Sequence, residues 1–83
     1  MDSSFIRMYG SYLAASANLL ESIAAAINAR GDVFLKDQKT NEAKIDFKRA
    51  ILLLNFVDLE TSTFSFDRNE LIASIENKLK QIQ

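Results

Sequence analysis

The chain has no cysteine, no histidine and no proline, and only two glycines. Without cysteine there is no disulfide framework and no thiol nucleophile, and without histidine most zinc sites and the imidazole general base go too. Most familiar catalytic constellations are thereby absent, and the sequence reads as non-enzymatic, with no metal, no cofactor and no small-molecule substrate. The lack of cysteine fits a reducing compartment, so a cytoplasmic location is expected. Without proline the chain has few forced breaks, and long helices are expected.

What is present is apolar and nearly neutral. Hydrophobic residues make up 48% of 83 positions and the net charge is -1, which is too apolar and too balanced for a disordered tail. The length allows one domain, residues 1–83. A chain this short buries only ~60 to 65% of its unfolded surface and usually needs a staple or a second subunit. With no disulfide to serve, well-formed helices and a homo-oligomer are the expected substitutes.

The periodicity predicts an all-α fold, a small three-helix bundle running up, down and up. Helix 1 is read from Ser3 or Ser4 to about Arg30, with Phe5, Tyr9, Tyr12, Leu19, Leu20, Ile23 and Ile27 on one face. Gly31 is read as its left-handed stop, and residues 32–39 as a continuation after a kink or break near Gly31, with a short extra helix as an option. Helix 2 is read from Thr40 or Asn41 to about Leu59, with Ala43, Phe47, Ala50, Ile51, Leu54 and Val57 inward. The hydroxyl-rich stretch 60–66 reads as a loop with Phe64 turned inward. Helix 3 is read as capped by Asp67, with Glu70 completing an acidic capping box, Phe66 and Leu71 as a hydrophobic staple, and Leu71, Ile72, Ile75, Leu79 and Ile82 as the core stripe.

Two surfaces go beyond what such a bundle requires. Helix 2 carries a second apolar stripe, Ile45, Leu52, Phe56 and Leu59, nearly opposite the first. Packing needs one stripe, so the second is expected to meet another protein or another copy, or to be covered by the Val33 to Leu35 and Phe64 segments. Helix 1, opposite its apolar face, presents Gly10, Ser11, Ala14, Asn18, Glu21, Ser22, Ala25 and Asn28, small residues that would let another backbone approach. Gly10 and Ala14 therefore join Ile45, Leu52, Phe56 and Leu59 as candidate partner-binding residues.

Other patterns have ordinary readings. Arg30-Gly31-Asp32 spells an integrin-recognition tripeptide but is read as helix capping. Lys36, Lys39, Lys44, Lys48 and Arg49 are interleaved with Asp37, Glu42 and Asp46 to a local sum of +2, a solvated mixed face. With a pI near 5.3 this argues against nucleic acid. Asp58 and Glu60 are read as solvating a helix end, and Tyr9 and Tyr12 as core or interface aromatics. The stretch Met8 to Ile27 is long enough to span a bilayer but is diluted by Asn18, Glu21 and several Ser or Gly residues, and Asp2 spoils the basic start of a signal peptide, so no membrane association is expected.

The stretch from Asn41 to Leu54, with Ala43, Phe47, Ala50 and Leu54 at its spacing, is similar to the second helix of a tetratricopeptide repeat and to helix 2 of the three-helix MIT domains that bind short helical peptides. That resemblance covers about 14 of 83 residues and implies a groove accepting an amphipathic helix. It departs in the preceding turn, since Gly31 lies twelve residues before Ala43 rather than about five, and no second repeat follows. The leading expectation is a helical protein–protein interaction module, an adaptor, chaperone, inhibitor or assembly subunit, that self-associates or docks on a partner protein. The alternative is an MIT-like or TPR-like peptide-binding domain.

Overall fold

The inward stripes of helices 2 and 3 organise a three-helix bundle. The computed structural model describes the backbone of residues 3–61 and 65–82, and side chains from residue 16 onward within those ranges. It comprises α1 (Ser3–Lys36), α2 (Thr40–Thr61) and α3 (Phe66–Ile82), running up, down and up. The side chains of Phe5, Tyr9 and Tyr12, and the whole of Phe64, lie outside the described residues. No described helix is long and apolar enough to cross a membrane.

α1 does not break at Gly31. It continues to Lys36 and stops in a Schellman arrangement one turn later, where the Lys39 amide donates to the Phe34 carbonyl at 2.8 Å and the Gln38 amide to the Leu35 carbonyl at 3.1 Å. The left-handed residue is Gln38, at φ 62°, and neither glycine has a positive φ. Gly31 has a different task. A β-carbon there would lie 2.6 Å from the Phe47 ring, so the absence of a side chain lets α2 press its largest buried residue against the α1 backbone. The tripeptide Arg30-Gly31-Asp32 accordingly lies within a helix, and the capping role expected for it is corrected.

The core lies in the α1–α2 seam and the adjoining side of α3. Ala24, Ala43, Phe47, Ala50, Leu54, Ile72, Ile75 and Leu79 form one buried cluster, with Ile27, Phe34, Leu35, Ile51, Leu53, Leu71 and Ile82 packed against it. Small residues on both helices bring the two backbones close along this seam. The expected α1 stripe is displaced: Ala24 is fully buried, while Leu19 and Ile23 are exposed. Ala24 and Gly31 are the buried positions of α1 among the described residues, with Ile27, Phe34 and Leu35 packed beside them.

α3 begins one residue before its expected cap. The hydroxyl of Ser65 accepts the Arg68 amide at 3.2 Å and its carbonyl accepts the Asn69 amide at 3.0 Å, so Ser65 is the N-cap. Asp67 and Glu70 are exposed in the first turns, and Phe66 is too exposed to staple onto Leu71. The earlier start rotates Arg68 into the bundle, where it becomes a structural centre.

Candidate interaction surface

Packing α1 against α2 leaves two sides to the hairpin, and α3 covers only one. On the covered side, buried Arg68 donates from Nε to Asp58 of α2 and from NH1 to Glu21 of α1, so one guanidinium ties three helices. Burial disfavours its charge, but the hydrogen bonds it donates to Glu21 and Asp58 more than offset that and hold its pKa above the ordinary arginine value. Three residues beyond Ile75, Lys78 donates to Asn28 at 3.1 Å and Asp32 at 2.9 Å, with its ammonium 5.2 Å from the centre of the Phe47 ring. Glu21 and Asn28, expected on a small-residue face open to another backbone, instead meet the long side chains of α3. Asp58 likewise pairs with Arg68 rather than marking a solvated helix end.

Within the seam, Asp46 is only 2% exposed and accepts both Nε and NH2 of Arg30 at 2.8 Å. The hydrogen bonds from Arg30 lower its carboxyl pKa against the opposing effect of burial, with Arg49 adding a smaller attraction. Asp46 is thus a buried acceptor and not a member of a solvated mixed face. Among the described residues no buried side-chain nitrogen or oxygen lacks a partner.

Among the described residues, no third helix lies over the other side of the hairpin. There a groove of about 580 Å3 is lined by Ile27 from α1 and by Arg49, Leu52, Leu53, Asn55, Phe56 and Leu59 from α2. It continues into a hollow bounded by Ser16, Ala17, Leu20 and Phe56 at one end, and another bounded by Arg30, Phe34, Ile45 and Arg49 at the other. Leu52 is 69% exposed, Leu59 79%, Ile45 49% and Phe56 48%. The second stripe thus remains uncovered by Phe34 and Leu35, which pack on the core instead, and Val33 is itself exposed. Leu19 and Ile23 extend the apolar surface onto α1, an addition the helix-wheel reading missed because it assigned them to the core. Gly10 and Ala14 lie in α1, but their surroundings are outside the described residues.

Charges gather at the two ends of this open side, Arg30, Glu42, Asp46 and Arg49 at one and Glu60 at the other. Among the described residues neither Arg49 nor Glu60 forms a direct ion pair, in contrast to Arg68 and Lys78 on the covered side, although Arg49 attracts the Asp46 carboxylate from a distance. No family model, no curated protein and no solved structure matches the chain.

Proposed function

We propose that this chain is a non-enzymatic helical interaction module that works by burying the open side of its α1–α2 hairpin against another polypeptide. The observation that carries the reading is the run of exposed large apolar side chains on that side, Leu19, Ile23, Ile45, Leu52, Phe56 and Leu59, in a domain of 83 residues. A free monomer would leave that surface in water, where contiguous apolar patches of this kind mark interaction sites. Its chemistry is desolvation, at roughly 25 cal/mol per Å2 of apolar area removed from water.

Replacing Leu52 and Phe56 together by glutamine tests the reading. Because neither side chain belongs to the buried cluster, the variant should keep its helical circular dichroism and its urea midpoint in dilute solution. Association should fall sharply with it. A variant that unfolds would put these residues in the monomer core and end the proposal. The alternative, a module accepting one amphipathic helix from a different protein, draws on the same apolar groove, lined by Ile27 of α1 and by Leu52, Leu53, Phe56 and Leu59 of α2.

A further inference from the structure

Resting on the interaction reading above, the charge and apolar pattern of the open side identifies its occupant. Seen down α2, Arg49 and Glu60 stand at opposite ends of the groove, three turns apart on one meridian, and Leu53 and Phe56 lie between them at equal distances from the midpoint. The sequence is therefore two-fold complementary about that midpoint: reversing α2 brings cation to anion and Leu53 to Phe56. An isologous interface has this property, since the same patch must fit itself.

We propose that a second copy of this chain covers the open side, related by a two-fold axis that lies in the interface, runs across the helices and passes between Leu53 and Phe56. Each α2 then lies antiparallel to α2 of the other subunit, with Arg49 facing Glu60 of the partner subunit and Phe56 facing Leu53 of the partner subunit. The intramolecular pairs Arg30 with Asp46, Gly31 with Phe47, and Glu21 and Asp58 through Arg68 fix the α1–α2 register, and it places Ile23 opposite this same midpoint. The two α1 helices accordingly cross near Ile23. The other possible face-to-face arrangement, with the axis along the helices, would set Arg49 beside Arg30 of the partner subunit, a cation already paired with Asp46, and leave Glu60 without a cation, so the charge of Glu60 favours the antiparallel one.

Area agrees with this. Taking fully exposed side chains of this size at roughly 150 to 250 Å2, the exposures of the six apolar residues correspond to on the order of 600 Å2 per subunit. With all six covered completely, the two subunits together reach the ~1,000 Å2 that a specific interface needs, at the low end of stable pairs. α1 also outruns α2, 34 residues against 22, and α2 ends beside Ala17.

Charge reversal tests the pairing, with dissociation constants measured by sedimentation at low salt. Each single change, Arg49→Glu or Glu60→Arg, should weaken the dimer about tenfold, because symmetry applies it twice, and the two changes together should restore affinity to within about threefold. The single-variant penalty should shrink as salt rises. A dimer indifferent to all three variants overturns this pairing while leaving self-association standing. A wild-type chain that stays monomeric to about 1 mM overturns both second-copy arrangements, and if it then binds a synthetic amphipathic helix through Leu52 and Phe56, the face belongs to a different partner.

Discussion

On the side of the α1–α2 hairpin that α3 covers, charged groups are matched within the chain: Arg68 to Glu21 and Asp58, Lys78 to Asp32 and Asn28. On the opposite side large apolar side chains are exposed, and beyond the Arg30–Asp46 pair at one end neither Arg49 nor Glu60 forms a direct ion pair among the described residues. The difference teaches that one short helix closes one side of a hairpin and not both. Among the described residues, the 17-residue α3 lies over one side and no helix lies over the other.

That contrast makes the covered side the costly one to disturb. Arg68→Ala should lower stability by about 2 to 4 kcal/mol in urea unfolding, because it removes a buried side chain's packing and leaves two carboxylates facing each other across the bundle. The loss should be the same at all protein concentrations. If stability instead depended on Arg68 only at concentrations where the chain associates, the two sides would have been assigned the wrong way round.

Gly31→Ala probes the seam that both sides share. Alanine improves helix propensity by about 1 kcal/mol, yet its β-carbon would meet the Phe47 ring, and overpacking of this kind costs about 1 to 3 kcal/mol. A lower thermal midpoint is expected, and pairing the change with Phe47→Leu should recover part of it. A stabilised Gly31→Ala protein would mean that the close approach of α1 and α2 is relaxed.

Asp46 should give a smaller, pH-dependent effect. Its folded pKa lies below its unfolded value, so its contribution is full above the ordinary carboxylate pKa near ~4 and is lost as pH falls through the depressed folded value. Asp46→Asn should therefore cost about 1 to 2 kcal/mol at neutral pH, with Arg30 half in solvent limiting the figure, and the gap to wild type should narrow on acidification. A gap that widens toward low pH would reverse the sign of the interaction.

The smallest effects concern the start of α3. Ser65→Ala should lower stability by about 1 kcal/mol, and Asp67→Ala by no more than a few tenths, since Ser65 holds the cap while Asp67 offers only a favourable charge near the helix start. The opposite ranking would return the cap to Asp67.

These same residues divide what the sequence makes legible from what it does not. The inner stripes of α2 and α3 are plain because Ala43, Phe47, Ala50, Leu54 and Ile72, Ile75, Leu79 repeat at helical spacing and bury what they present. The outer stripe of α2 is plain for the same reason, since Ile45, Leu52, Phe56 and Leu59 lie too far round the helix to reach that core. Gly31 misleads because its requirement comes from Phe47, sixteen residues away, and local rules read an isolated glycine as a stop. Arg68 and Asp46 are hidden because charged residues are ordinarily exposed, and only the fold reveals the partners at Glu21, Asp58 and Arg30 that permit their burial. α1 misleads most, because Leu19 and Ile23 suggest a core face whose buried positions are Ala24 and Gly31, with Ile27 packed beside them.

Sedimentation equilibrium of the wild-type chain beside the Leu52→Gln, Phe56→Gln variant tests most directly whether a second copy completes the open side. The wild type should tend, as concentration rises, toward the mass of two 9.3 kDa chains, while the variant stays at one chain with an unchanged helical spectrum. A wild type that remains at 9.3 kDa throughout, or a variant that dimerises as well as the wild type, would contradict the account.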